Sequence, residues 1–222
     1  MRTGTISRPC AISRPDTAKP PAVLLAGGLA RRMGGGDKCL LQLAGRPLLV
    51  HAIDRVRPQA APLLLNANGQ SDRFAEFGLP VMADPVPDHP GPLAGILAGM
   101  RWAMNFGHSH MLSLPTDTPY FPLDLSSRLL CAVDPDHPIA CAATAGAVHH
   151  VFAVWPVDLA DRLETALQQG CRHVGRFAET AGRAVVDWTD RPFDPFFNIN
   201  TPQDLAAAEE ILLRNQAGTV SE

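Results

Sequence analysis

Between Gly27 and Lys38 the chain sets five glycines, two arginines and a lysine within twelve residues: Gly-Gly-Leu-Ala-Arg-Arg-Met-Gly-Gly-Gly-Asp-Lys. Glycine lets backbone N–H groups approach an anion with no Cβ in the way, and Arg31, Arg32 and Lys38 bring the positive charge that a polyphosphate needs. The apolar run Ala22-Val-Leu-Leu-Ala26 leads into the loop and reads as a short buried strand. Two common phosphate loops do not fit. A Walker A loop ends in Gly-Lys-Ser/Thr, but Lys38 stands between Asp37 and Cys39. A dinucleotide fingerprint fails because Gly27-Gly28 is followed by Leu29 and the next glycine is Gly34.

Three further polar positions follow apolar runs. Asp117, in Pro115-Thr-Asp-Thr-Pro119, is the candidate metal ligand, since magnesium binds through one or two carboxylates plus substrate phosphates. Asp84 and Asn66 stand where a base or ribose is read: a carboxylate accepts from guanine N1–H and its exocyclic amine together, and an asparagine pairs with either edge. All three also suit plain turn-forming roles after strands. His108-x-His110 and His149-His150 lack the partners of a zinc site and read as solvated or satisfied histidines. Cys39 reads as a small apolar residue at the loop exit. With no Gly-x-Ser-x-Gly elbow, the expected chemistry is positioning and charge neutralisation without a covalent nucleophile.

Alternating elements must carry these groups. Helices are predicted at about 47–57, 71–77, 93–106, 122–133, 158–169 and 173–180, and in a last one capped by Thr201, with Pro202 in its first turn and Asp204 at the capping-box position. Strands are predicted at 61–65, 79–83, 110–114, 139–144, 148–155 and 183–188. The prolines around Gly91 stiffen the loop before the fourth-strand helix, and the Ala94-Gly95 and Ala98-Gly99 pairs suit close packing or close approach to a ligand. Such alternation implies a three-layer α/β domain with a mostly parallel central sheet and helices on both faces. Ligands bind beyond the carboxyl ends of such strands, and the glycine loop, Asn66, Asp84 and Asp117 all converge there.

The composition sets bounds. With 222 residues and 46% hydrophobic content there is one well-buried domain, expected over 21–215, with a disordered extension at 1–20 and a frayed tail at 216–222. A net charge of −3 argues against a long nucleic acid as partner but leaves a single nucleotide open. Five cysteines with no ligand spacing read as thiols in a reducing cytoplasm, and no apolar stretch has the length of a membrane span.

In order and spacing, the glycine loop, Asn66-Ala-Asn68, Asp84 with His89-Pro-Gly-Pro-Leu-Ala-Gly95, Pro115-Thr-Asp-Thr-Pro119 and Phe197-Asn-Ile-Asn-Thr-Pro202 resemble the molybdenum cofactor guanylyltransferases. The resemblance runs from about residue 22 to 213. It implies a single Rossmann-like domain of the nucleotide-diphospho-sugar transferase type that moves GMP from GTP to molybdenum-bearing molybdopterin, releasing pyrophosphate. It implies GTP contacts at Leu25, Ala26, Gly27, Gly28, Lys38, Asn66, Asp84, Gly91, Gly95 and Asp117, and Mg2+ on Asp117. Lys38 and Arg32 would neutralise charge with it, and Asn198 and Asn200 would lie on the pterin side. The implied enzyme is cytoplasmic and monomeric, with transient contacts to cofactor-biosynthesis or acceptor molybdoenzyme proteins. Competing readings are a cytidylyltransferase using CTP on the same pterin, a sugar-phosphate nucleotidyltransferase, and a nucleotide-binding delivery partner without turnover.

Overall fold

The computed structural model describes residues 19–27, 36–86 and 91–218. In chain order β1 (Ala22–Leu25) is followed by a small hairpin, β2 (Gln42–Leu43) and β3 (Arg46–Pro47), then by α1 (Leu48–Val56), β4 (Leu63–Asn66), β5 (Val81–Met82), α2 (Pro92–Met104) and β6 (His110–Pro115). Next come α3 (Leu125–Ala132), β7 (Ile139–Thr144), β8 (Ala147–Pro156), α4 (Ala160–Gln168), α5 (Val174–Ala181), β9 (Arg183–Trp188) and α6 (Pro202–Gly218). Seven strands form the main sheet in the order β5-β4-β1-β6-β8-β7-β9.

Four of the six pairings are parallel, so the expected mostly parallel sheet holds, but β8 runs against both its neighbours. Its direction follows from a two-residue connection. Ala145 (φ 48°) and Gly146 (φ 82°) both take positive φ, the conformation of a tight hairpin turn, whereas a parallel return needs a dozen or more residues.

Side-chain alternation along the strands separates two cores. Ala22 and Leu24 of β1 face α1 and α3 through Leu49, Ile53, Val56, Leu125 and Leu129. Val23 faces the opposite layer, built by Ile96, Leu97 and Met100 of α2 with Leu163 and Phe177 of α4 and α5. Each large side chain so buried contributes about 1.5–3 kcal/mol. A smaller cluster joins Leu43 and Leu48 to Tyr120, Ile199 and Ala208, which docks α6 beside the hairpin. The start of α6 matches its expected capping box: Asp204 N–H donates to Thr201 Oγ1 (3.1 Å) and Thr201 N–H donates to Asp204 Oδ2 (2.8 Å).

Helix α2 lies unusually close to the sheet. A Cβ on Gly99 would stand 2.7 Å from both Cβ and Cγ1 of Val23, so a branched residue in β1 fills the space that this glycine leaves. Overpacking of this kind costs about 1–3 kcal/mol, and it outweighs the gain of about 1 kcal/mol that alanine brings to a helix interior. Gly99→Ala is therefore expected to lower the free energy of unfolding by up to about 2 kcal/mol in a denaturant titration. An unchanged or raised midpoint would mean that α2 is free to slide. Among the described residues no helix is long and apolar enough to cross a membrane.

Candidate functional site

The carboxyl ends of β1, β4 and β6 open into a cavity of about 470 Å3, lined by Leu25, Gly27, Asn66, Asn68, Asp84, Gly91, Pro92, Asp117 and Thr118. Residues of the antiparallel segment and the approach to α6 close its other side: His149, His150, Phe152, Phe196 and Asn198.

Lys38 is the hub of one half. Its ammonium donates to Asp117 Oδ2 (2.5 Å), Asn198 Oδ1 (3.1 Å) and Asn200 Oδ1 (2.5 Å), three acceptors for three protons. Asp117 follows β6, and its backbone carbonyl accepts from Ile199 N–H (2.9 Å), which pins the Asn198-to-Asn200 segment against the strand end. The side chains of Lys38 and Asp117 are only 12% and 18% exposed, so the pair is screened less than a surface ion pair. Three segments distant in sequence thus hold one positive charge in place.

Asp84 is the hub of the other half. Asn66 Nδ2 donates to Asp84 Oδ1 (3.0 Å) and Asn68 Nδ2 to Oδ2 (2.7 Å), while Asp84 N–H donates to Asn68 Oδ1 (2.8 Å). Both carboxylate oxygens are oriented, and each keeps lone-pair capacity for a ligand. Asn66 is itself buried, and its Nδ2 also donates to the Met82 carbonyl (3.2 Å). Gly95 explains why it fits: a Cβ there would come within 2.2 Å of Asn66 Oδ1 and 2.6 Å of Leu25 Cδ2. Of the two roles open to the α2 glycines, close packing is the one seen, since Gly95 supports Asn66 from beneath and does not line the cavity.

The far wall is aromatic. His149 stacks on Phe196 (4.6 Å between ring centres, 26°), which meets Phe152 and Trp188 edge-on. His149 Nε2 lies 2.7 Å from Thr144 Oγ1, which donates to Asp194 Oδ1 (3.2 Å). Burial lowers the pKa of His149 from its ordinary 6.5; Asp194 opposes the shift and His150 reinforces it. The ring is therefore neutral at pH 7. Of the two readings, solvated or satisfied, His149 is the satisfied one through Thr144, and among the described residues no group of three or more His, Cys, Asp or Glu is placed to hold a metal. Cys39 is buried, and burial, reinforced by Asp37, pushes its thiol up to about 12. It is a packing residue, as its place at the loop exit suggests.

The donor set suits a hard cation that also binds phosphate. Asp117 Oδ2 is engaged by Lys38, and Oδ1 accepts only a long bond from Thr118 Oγ1 (3.3 Å), so this oxygen has capacity for magnesium, which commonly takes one protein carboxylate with substrate phosphates.

Of the expected contacts, Leu25, Gly27, Asn66, Asp84, Gly91, Asp117 and Asn198 line the cavity, with Lys38 and Asn200 bonded to its rim. Ala26 is buried behind the wall, its N–H on the Asn66 carbonyl (2.9 Å). Gly28 and Arg32 lie outside the described residues. Sequence reasoning passed over the aromatic wall, whose signal was a polar His-His pair opening an otherwise apolar strand and a Phe-Phe pair ahead of Asn198.

A family model described as MobA-like NTP transferase domain matches residues 22–184. A molybdenum cofactor guanylyltransferase of Rhodopseudomonas palustris (strain BisB5) is 54% identical over 204 residues, which is 90% of this chain and 97% of that protein. The crystal structure of molybdopterin-guanine dinucleotide biosynthesis protein A from Archaeoglobus fulgidus superposes with a TM-score of 0.68 at 23% identity, covering 87% of this chain and 99% of that one. A CMP:2-keto-3-deoxy-manno-octonic acid synthetase, solved in complex with CTP, superposes with a TM-score of 0.67 at 15% identity, covering 89% and 100%. The fold is therefore shared with both of these proteins, one of them solved with CTP.

Proposed function

As this chain belongs to the MobA-like NTP transferase family, we propose that it is a molybdenum cofactor guanylyltransferase that moves GMP from GTP to the terminal phosphate of molybdenum-bearing molybdopterin and releases pyrophosphate. The observation that carries this reading is the division of one cavity into two preorganised halves, a cation held by three oxygens at Lys38 and a carboxylate oriented by two asparagines at Asp84. The first suits a polyphosphate, the second a guanine edge.

In this reading Asp84 accepts from guanine N1–H and the exocyclic amine, Gly27 meets the phosphates, and Gly28 and Arg32 are assigned to the phosphates by their types. A phosphate oxygen of molybdopterin attacks the α-phosphorus in line, the bond to the β-phosphate oxygen breaks, and pyrophosphate leaves with that electron pair. Lys38 brings its charge to the phosphates, a phosphate oxygen taking the place of one of its three acceptors while the other two keep the ammonium in position. Asp117 would hold Mg2+, which adds charge neutralisation on the phosphates. Asn198 and Asn200 stand on the acceptor side. A second cleft adjoins the cavity through His150 and Val151 and carries Arg172, His173 and Arg176, a charge suited to an acceptor that brings its own phosphate. The enzyme acts as a cytoplasmic monomer with transient partners in cofactor assembly and delivery.

The test is a thermal shift with GTP, CTP and ATP at equal concentration, each with magnesium, followed by pyrophosphate release with molybdopterin, because stabilisation of the fold grows with the logarithm of ligand concentration over Kd. GTP is expected to raise the midpoint most and to support release. Stabilisation by CTP and not GTP would make the enzyme a cytidylyltransferase, and binding without release would make it a delivery partner.

A further inference from the structure

One charged pair beside the cavity is used by neither half of the mechanism. Arg73, on the short 3-10 helix 71–77, donates from Nε to Asp37 Oδ2 (2.5 Å) and from Nη2 to Oδ1 (3.3 Å). The same Nη2 donates to the Asn68 carbonyl (2.6 Å), and Nη1 donates to the Gln70 carbonyl. The guanidinium carbon stands 4.4 Å from the ring centre of Phe74, which is fully buried, so the plane is fixed from one face. With side chains 30% and 19% exposed, Arg73 and Asp37 form a semi-buried unit, unlike the half-exposed pair of Arg46 and Asp54.

The partners matter by position. Asp37 immediately precedes Lys38, the phosphate-side cation; Asn68 orients Asp84, the base-side carboxylate. The geometry points to Arg73 as a positioning residue that braces both halves of the nucleotide site against each other by locking Asp37 to the Asn68 loop. It has a second consequence: without Arg73, the Asp37 carboxylate would stand unneutralised beside Lys38 and repel an incoming polyphosphate. Lysine cannot replace it, because an ammonium is a point charge and cannot span two carboxylate oxygens and two carbonyls as a planar fork does.

This inference rests on the nucleotide reading above, so the wild type is measured first. If it binds CTP in place of GTP, the base assignment falls and the same variants are read with CTP. The comparison then takes Arg73→Lys, Arg73→Ala and Arg73→Ala with Asp37→Asn, with circular dichroism to establish folding, and with guanosine alone, tripolyphosphate alone and the whole nucleotide as ligands. In Arg73→Lys, KM for the nucleotide is expected to rise and kcat to fall about tenfold each, and both half-ligands to weaken. Removing the Asp37 charge from Arg73→Ala is expected to restore part of the tripolyphosphate affinity while leaving guanosine binding weak. A merely structural Arg73 would lower the thermal midpoint and leave kcat and KM unchanged well below it. That result, or weakening of one half-ligand alone, overturns the brace. Should Arg73→Ala not fold, Arg73→Lys decides by the same two kinetic constants.

Discussion

Replacing Lys38 by alanine is expected to lower the rate of pyrophosphate release about 1,000-fold while nucleotide affinity falls by a smaller factor. Loss of one preorganised donor to a developing oxyanion costs about 100- to 1,000-fold in turnover, and Lys38 belongs at the upper end because it carries a full charge. Its position is fixed by three oxygens from Asp117, Asn198 and Asn200 at 2.5, 3.1 and 2.5 Å, and exchanging one of them for a phosphate oxygen leaves two to hold the ammonium where charge develops. Arginine should not rescue it, since its planar fork cannot direct three hydrogens at three converging oxygens. The substitution also leaves the partly buried Asp117 without its counter-charge, so unfolding midpoints must accompany the kinetics. Activity within threefold of wild type in a folded Lys38→Ala protein would remove Lys38 from the chemistry and transfer charge neutralisation to the arginines of the glycine-rich loop.

Much of this arrangement was legible in the residues, and the part that was not has a physical cause. Placing Asn66, Asp84 and Asp117 near one another needed only the rule that strand-end residues of parallel strands share an edge, and β4, β1 and β6 do run side by side in parallel. The start of α6 was readable because a capping box is a local interaction within four residues. The reversal of β8 was harder, since periodicity marks a strand without giving its direction; only the two residues at Ala145-Gly146, too few for a crossover, encode it. That reversal brings His149 and Phe152 into the cavity, so the aromatic wall was missed together with it. Arg73 was hidden for another reason: Asp37 lies 36 residues away in sequence, and no spacing rule predicts a pairing that depends on how two loops approach.

Alanine at Asp84 is expected to weaken GTP binding about 100-fold and CTP binding only a few-fold, so that discrimination between the two collapses. Guanine presents two adjacent donors, N1–H and the exocyclic amine, which match the two oxygens of one carboxylate; cytosine offers a single amine on its pairing edge. Each hydrogen bond to a charged acceptor contributes about 1.5–3 kcal/mol, and two together exceed what an approximately 100-fold change requires, which leaves room for water to replace part of the loss. The carboxylate is also fixed before the base arrives, because Asn66 and Asn68 bond one oxygen each at 3.0 and 2.7 Å. Asparagine at this position should fare no better than alanine: its amide would turn a donor toward the donating Nδ2 of Asn66 or Asn68, and those two groups have no means of reversing without losing the Met82 carbonyl or the Asp84 backbone N–H. Isothermal titration of both nucleotides against wild type and the two variants measures this directly. Equal losses for GTP and CTP would show that Asp84 reads a feature common to both, such as the ribose, and base choice would then have to be sought among other residues that line the cavity, such as Gly91 and Pro92.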